Sequence, residues 1–198
     1  MAQIAYKIRN SLYLNITDRC TLVCQFCPKT QGILKVHEYD LTLDQRPEAD
    51  EIISSIGDPG AYDEIVFCGY GEPTLRLKVL KQVARWIKDN GGRVRINTDG
   101  LANLVNKRNV LPELEGLVDA VSVSLNAQDE SVYNRHCQPA LPGSYQAMLD
   151  FLEQAPAWIP HVTATAIEGL EGVDMDACEK LAHERGAEFR RRTLDIVG

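Results

Sequence analysis

Three cysteines lie close together near the start of the chain, in the pattern C-x3-C-x2-C formed by Cys20, Cys24 and Cys27. Thiolates at this spacing bind metals, but a structural zinc takes four ligands and an electron-carrying iron–sulfur cluster usually takes about four thiolates. A cubane cluster held by only three thiolates keeps one iron free to bind something else. The spacing therefore favours a cluster with an open coordination position, in a reducing compartment where cysteines serve metals before disulfides.

Two other metal sites compete with this interpretation. A zinc site would need a fourth ligand, for which His37, Cys68, Cys137 and Cys178 are available. Zinc ligands usually come as short pairs, and no second pair follows here. A ferredoxin is disfavoured because the spacing is neither C-x2-C-x2-C nor the plant type. Cys68, Cys137 and Cys178 occur singly, and we interpret each as a small buried core residue.

The cysteine segment resembles that of the radical S-adenosylmethionine (SAM) superfamily, whose signature is C-x3-C-x-aromatic-C, with Phe26 in the aromatic position. The resemblance implies a 4Fe-4S cluster held by Cys20, Cys24 and Cys27. It also implies that the open iron binds the amino and carboxylate groups of SAM. An electron from the cluster then cleaves this cofactor to methionine and a 5′-deoxyadenosyl radical.

A second motif follows the next predicted strand. Residues 70–73, Tyr-Gly-Glu-Pro, resemble the family's G-G-E-P motif, with Tyr70 in place of the first glycine and Gly69 just before it. In the family, the backbone and the acid of this motif hold the amino group of the cofactor. A carboxylate suits an ammonium-like donor, and glycine permits close backbone approach. The resemblance therefore assigns cofactor contacts to Gly69, Tyr70, Gly71 and Glu72.

Polar residues also end the following strands. Residues 97–100, Asn-Thr-Asp-Gly, are similar to the family's T-N-G, and residues 124–126, Ser-Leu-Asn, resemble its S-L-D. In the family these positions approach the carboxylate and the ribose of the cofactor, which hydroxyl and amide groups suit. Thr163 is a further candidate, although threonine is also a common strand former. The resemblance assigns these cofactor contacts to Thr98, Asp99, Ser124, Asn126 and Thr163.

The elements that must position these motifs alternate along the chain. Short β-branched runs predict six strands, at 12–17, 64–68, 94–98, 120–125, 162–167 and 188–194. Apolar periodicity predicts four helices, at 48–56, 77–90, 144–154 and 174–185. Such alternation implies parallel strands with right-handed crossovers, and six repeats are too few for a closed eight-stranded barrel. We expect one α/β domain over residues 1–198, a partial (β/α)6 barrel open on one flank, which is also the family's core fold.

Composition excludes several partners. The 198 residues are 44% hydrophobic, enough for one core, and the net charge of −7 gives no general attraction to nucleic acid or anionic membranes. Neither a membrane span nor a signal-peptide h-region is evident in the sequence. We therefore expect a cytoplasmic protein.

The run Arg190-Arg191-Arg192 bears on the substrate. Strand alternation points Arg190 and Arg192 into the barrel if Phe189 faces the helices, and two guanidiniums would suit a carboxylate or phosphate. The alternative is an edge strand blunted by charge. Residues 30–43 form a long connection, to which we assign a lid or the docking of an electron donor such as flavodoxin or ferredoxin. A second subunit or a protein substrate is expected to cover the open flank.

The favoured function is that of a radical enzyme taking hydrogen from a small anionic metabolite. Among subfamilies, the chain looks most like the small TatD-associated radical proteins. It also has similarity to activases of glycyl-radical enzymes and to carboxy-deazaguanine synthase. An activase or modifying enzyme acting on a partner protein is the alternative, and a non-enzymatic zinc-binding interaction module is a third.

Overall fold

The computed structural model describes residues 3–194. Seven of its strands form one sheet, and two short ones form a separate hairpin in the connection after the cysteines. In chain order the strands are β1 (Ala5–Ile8), β2 (Ser11–Leu14), β3 (Lys35–Val36), β4 (Tyr39–Asp40), β5 (Ile65–Phe67), β6 (Val94–Thr98), β7 (Ala120–Ser124), β8 (His161–Glu168) and β9 (Glu188–Thr193).

The large sheet has the order β1-β2-β5-β6-β7-β8-β9, and every pair from β2 to β9 is parallel. The prediction of an open, parallel α/β barrel is therefore confirmed. All six predicted strands are present. The first was predicted at 12–17 but ends at Leu14. The sheet also gains an unpredicted antiparallel edge strand, β1, whose residue Ala5 pairs with Leu14. The carboxyl ends of the parallel strands form one rim, where ligands bind in such architectures.

Six α-helices connect the strands: α1 (Ala49–Ile56), α2 (Leu77–Asp89), α3 (Ala102–Asn106), α4 (Glu130–Cys137), α5 (Ser144–Gln154) and α6 (Met175–Glu184). The first, second, fifth and sixth were predicted. The helix α3 was missed because its five residues are too few to show a period. The helix α4 was missed because its sequence is mostly polar, and its clearest signal is Asp129, whose carboxylate accepts from the Val132 N–H as an N-cap.

The core lies between the sheet and these helices. In α2 the residues at i, i+3, i+4 spacing, from Leu77 to Ile87, are buried as the pattern predicts. Cys137 and Cys178 are fully buried, as predicted. The same prediction was wrong for Cys68, which is only partly buried because it follows β5 and turns toward the interior of the barrel. Within residues 3–194, no helix is long and apolar enough to cross a membrane.

Candidate functional site

The loop that carries the cysteines is fixed to the rim by backbone pairing. It follows β2 and runs antiparallel to the segment that ends α4, with a bridge between Leu22 and Pro139. The Val23 N–H donates to the Cys137 carbonyl at 3.1 Å, and the Gln25 N–H donates to the His136 carbonyl at 2.9 Å. This pairing holds the cysteine loop against the carboxyl end of α4, the helix that follows β7.

Two of the three cysteine thiols, those of Cys20 and Cys24, have raised pKa values in the absence of a metal. Burial and the nearby Asp99 carboxylate raise the pKa of Cys20 to about 12. A hydrogen bond with the Cys137 thiol, together with burial, raises the pKa of Cys24. A bound cation reverses this preference, because coordination deprotonates a thiol outright.

The donor set suits a multi-iron cluster better than a single ion. Within residues 3–194, no three His, Cys, Asp or Glu side chains come close enough together to hold one metal ion. A cubane cluster takes one thiolate per iron, and three cysteines on one loop supply soft ligands for three irons.

The loop after β5 packs directly against the cysteine loop, which explains its glycines. A Cβ on Gly69 would lie 3.2 Å from the Cα of Asn15, and one on Gly71 would lie 2.6 Å from the carbonyl oxygen of Arg19. Tyr70, which stands where the family has its first glycine, points outward instead. Its hydroxyl donates to the Lys35 carbonyl at 2.7 Å and so connects the loop to β3.

Glu72 is the centre of the hydrogen bonds that join the rim. Its carboxylate is 4% exposed and accepts from the Thr74 N–H and hydroxyl, from the Thr98 hydroxyl at 2.9 Å and from the Asp99 N–H at 2.7 Å. Asp99 in turn accepts from the hydroxyl of Thr21 in the cysteine loop. Burial, followed by repulsion from Asp99, raises the pKa of Glu72 to about 8, although the donated hydrogen bonds oppose the shift.

Beyond β7, Asn126 has the left-handed backbone conformation, with φ of 61°. Its N–H donates to the Thr165 carbonyl at 3.0 Å, and its side-chain Nδ2 donates to the Cys137 Sγ at 3.5 Å. The side-chain Oδ1 of Asn126 and the hydroxyl of Tyr133 are buried with no hydrogen-bond partner within residues 3–194. Buried polar atoms rarely lack partners, so an acceptor and a hydroxyl are available here for a ligand.

The other predicted residues fall in two places. Phe26 is half-buried and packs against the main core beside the cysteines. Thr163 pairs with Ser122 lower in the barrel, whereas its neighbour on the same face, Thr165, pairs with Ser124 at the rim and lines the cavity described next. The rim thus brings together the cysteine loop, Glu72 and Asp99, and places Thr163 below them.

A cavity of about 240 Å³ opens inside the barrel next to this rim. It is lined by inward side chains from successive strands, among them Tyr13, Cys68, Arg95, Asn97, Ser122, Ser124 and Thr165. Ser124 is the predicted cofactor residue that also borders this cavity. Sequence reasoning did not assign five of these residues, Tyr13, Cys68, Arg95, Asn97 and Ser122, to a cavity. Their signal is the period-two alternation within predicted strands, as in Arg95 with Asn97 and Ser122 with Ser124.

The arginines of β9 divide between the two faces of the strand. Arg191 lies on the helical side and forms ion pairs with Asp176 at 2.5 Å and Glu179 at 2.9 Å. All three arginines border the cavity, but within residues 3–194 only Arg191 forms ion pairs with carboxylates. The strand β9 is at the edge of the described sheet, as the edge-strand alternative expects. It also turns Arg190 and Arg192 toward the barrel, as strand alternation predicts.

Comparison with known proteins decides the family. Residues 14–184 match the family model described as the Radical SAM superfamily. The chain belongs to the radical SAM superfamily. This agrees with the cysteine motif and with the open parallel barrel, whose rim carries that motif.

Radical SAM proteins of several kinds are similar to this chain. It is 31% identical over 153 residues to GTP 3′,8-cyclase of Limosilactobacillus fermentum, covering 76% of this chain and 43% of the relative. It is 25% identical over 138 residues to the dual-specificity RNA methyltransferase RlmN of Buchnera aphidicola, covering 66% of this chain and 37% of the relative. The chain thus spans less than half the length of these curated relatives.

Solved structures share the fold at low sequence identity. Streptococcus suis SuiB bound to S-adenosylmethionine superposes with a TM-score of 0.69 at 12% identity, covering 95% of this chain and 41% of SuiB. TYW1 with a lysine-pyruvate adduct bound superposes with a TM-score of 0.67 at 14% identity, covering 95% of this chain and 66% of TYW1. These likenesses show that the chain shares the fold of those proteins.

Proposed function

We propose that this protein is a radical SAM enzyme that takes a hydrogen atom from a small anionic metabolite bound in the barrel. The observation that carries the proposal is the rim itself. There the loop of Cys20, Cys24 and Cys27 is hydrogen-bonded, through Thr21 and Asp99, to the loop of Glu72, next to a polar cavity.

The three cysteines are proposed to hold a 4Fe-4S cluster with one open iron. When bound, the cluster and SAM would supply a 5′-deoxyadenosyl radical by reductive cleavage. Side chains at the rim would contact the bound cofactor. Asn126 offers a buried carbonyl oxygen that has no hydrogen-bond partner among residues 3–194, and Ser124 offers a hydroxyl that borders the cavity. These groups suit the donors and acceptors of a nucleoside and an amino acid.

Glu72 acts in this proposal mainly through the loops that it joins. Its carboxylate accepts four hydrogen bonds from Thr74, Thr98 and Asp99, so it fixes the backbone after β5 and β6. The backbone at residues 69–71, shaped by Gly69 and Gly71, is then the part of the motif that a cofactor amino group would meet. Glu72 is therefore a positioning residue in our proposal.

The cavity supports a small-molecule substrate. Its volume of about 240 Å³ fits a molecule of metabolite size, and Arg190 and Arg192 provide positive charge. The relatives are compatible with this reading, since one is named for GTP and a solved neighbour is named methylornithine synthase.

A partner protein as substrate is the second candidate. It is supported by SuiB, which has also been solved bound to its precursor peptide SuiA and superposes with a TM-score of 0.69. The β9 edge of the described sheet would be the side from which a peptide reaches the cavity. A second copy of the chain at this edge remains part of the proposal.

The connection after the cysteines is the proposed docking surface for a flavodoxin or ferredoxin. It carries the short hairpin β3–β4, and its Ile33 and Leu34 are exposed large hydrophobic residues. We place this chemistry in the cytoplasm, within a single domain.

The test starts with protein reconstituted anaerobically with iron and sulfide, then given SAM and a chemical reductant. We expect 5′-deoxyadenosine and methionine. Deuterated candidate metabolites are then compared with a deuterated partner protein, and deuterium should appear in 5′-deoxyadenosine only from the metabolite. Transfer only from a protein would favour the second candidate, and no SAM cleavage at all would refute the proposal.

A further inference from the structure

Four arginines border the cavity, Arg95 and the three consecutive arginines of β9, and two of them, Arg95 and Arg191, are already paired with carboxylates. Arg95 makes a forked ion pair with Glu64, with its Nε 3.0 Å from both carboxylate oxygens and its Nη2 2.8 Å from Oε1. The remaining Nη1 donates to Asn97 Oδ1 at 2.6 Å. Arg95 therefore lines the cavity but has few N–H donors left to bind a ligand.

The other two guanidiniums, those of Arg190 and Arg192, have no carboxylate partner in the described part of the chain. Arg191 between them pairs with two carboxylates. The pairing of β9 with β8 explains the split, because Arg190 lies opposite the inward Thr165 and Arg192 lies opposite Ile167. Burial and the neighbouring Arg95 and Arg192 lower the pKa of Arg190, so these cations repel each other across the cavity.

The rest of the lining offers no negative charge. Within residues 3–194, no Asp or Glu side chain lines this cavity, whose other polar groups are amides, hydroxyls and one thiol. A ligand ammonium would have no carboxylate partner here, and burying an unpaired charge is costly. A ligand with two negative charges would instead match the two arginines.

We infer that the substrate of the proposed radical reaction carries a doubly charged anionic group, a phosphate monoester or a dicarboxylate, held by Arg190 and Arg192. That the bound anion is the substrate rests on the proposed function. That the cavity binds an anion rests only on the residues that line the cavity. Planar guanidinium forks suit both phosphate and carboxylate oxygens. Hydroxyls at Ser122 and Ser124 are placed to donate to the remaining oxygens.

The test is equilibrium binding to the full chain with its cluster reconstituted, by calorimetry at low ionic strength. The probes are inorganic phosphate, malonate and glycine. We expect phosphate or malonate to bind and glycine to fail, because glycine brings an ammonium. Arg190→Gln and Arg192→Gln should each weaken binding of the dianion at least about tenfold, since a charged hydrogen bond contributes about 1.5–3 kcal/mol.

The matched control is Arg191→Gln, because Arg191 also borders the cavity but its guanidinium is held by Asp176 and Glu179 of α6. It removes the same charge, and its exposed ion pairs should contribute little to folding, so binding should stay within about twofold of wild type. Equal loss in all three variants would show general electrostatic attraction and overturn the inference. So would tight glycine binding, or binding of neither dianion. Arg192→Lys keeps the charge without the fork, and replaces Arg192→Gln if circular dichroism shows the latter unfolded.

The proposed radical function and the proposed anion site can be refuted independently. If the wild type binds malonate or phosphate through Arg190 and Arg192 but cleaves no SAM, the anion site stands and the radical function falls. If it cleaves SAM but binds no dianion, the radical function stands and the substrate class falls. A comparison of phosphate with malonate separates the two kinds of anionic group.

Discussion

Replacing Gly71 with alanine should separate the two loops that build the rim. A Cβ at this position would lie 2.6 Å from the carbonyl oxygen of Arg19 and would overlap the carbonyl of Thr17. Both are backbone groups, so no side chain can rotate out of the way and the cysteine loop itself must move. That movement stretches the 2.7 Å hydrogen bond from the Glu72 N–H to the Arg19 carbonyl.

The magnitude follows from two contributions. Overpacking costs about 1–3 kcal/mol and the loss of a hydrogen bond adds about 1 kcal/mol, so we expect the free energy of unfolding to fall by about 2–4 kcal/mol. Urea unfolding followed by circular dichroism measures it. All proteins must be in the same cluster state, because a group bound only by the folded chain adds stability.

The matched control is Gly60→Ala. A Cβ on Gly60 would make only an ordinary contact, 3.4 Å from Asp58 Oδ1. Its unfolding free energy should therefore stay within about 0.5 kcal/mol of wild type. If Gly71→Ala also stayed within that margin, the close approach of the two loops would be refuted.

Three further outcomes are expected. Tyr70→Phe removes the hydroxyl bonded to Lys35 and should speed amide exchange in β3 and β4, with global stability lowered by at most about 1.5 kcal/mol; unchanged exchange would contradict this. The pKa of Glu72 is raised from 4.5 to about 8, so between these pH values the folded state keeps a proton that the unfolded state loses. The free energy of unfolding should therefore fall as pH rises from about 4.5 through about 8. Glu72→Gln should flatten this fall, as measured by urea titrations at several pH values. Asn126→Gly keeps the left-handed backbone but removes the unpartnered Oδ1, so binding of SAM should weaken about tenfold with little loss of stability; unchanged affinity by calorimetry would exclude this contact.

Regular local patterns predicted most of the fold. The short β-branched runs predicted six strands, and the apolar stripe of α2 marked a buried face correctly. The edge strand β1 was missed because its four residues are recognisable only through their pairing with β2. In this case tertiary contacts, rather than local pattern, define the element.

The site was predicted in part. The spacing of Cys20, Cys24 and Cys27 pointed to the correct superfamily, and the rim motifs follow the strands in the expected order. The saturated hydrogen bonding of Glu72 could not be predicted, because its donors Thr98 and Asp99 lie about 26 residues away on another strand end. The ion pair of Arg95 with Glu64 could not be predicted from the sequence either, because it depends on the register of two parallel strands.

The central claim is that the three cysteines hold a cluster whose open iron activates SAM. The most direct measurement reconstitutes the wild type, the alanine variants of Cys20, Cys24 and Cys27, and Cys178→Ala as a buried control thiol, under anaerobic conditions with iron and sulfide. We predict a 4Fe-4S electron paramagnetic resonance signal after reduction, which SAM perturbs, in wild type and Cys178→Ala, and its loss in the other three. Stoichiometric zinc without iron in the wild type, or an undiminished cluster signal in the three variants, would contradict the claim.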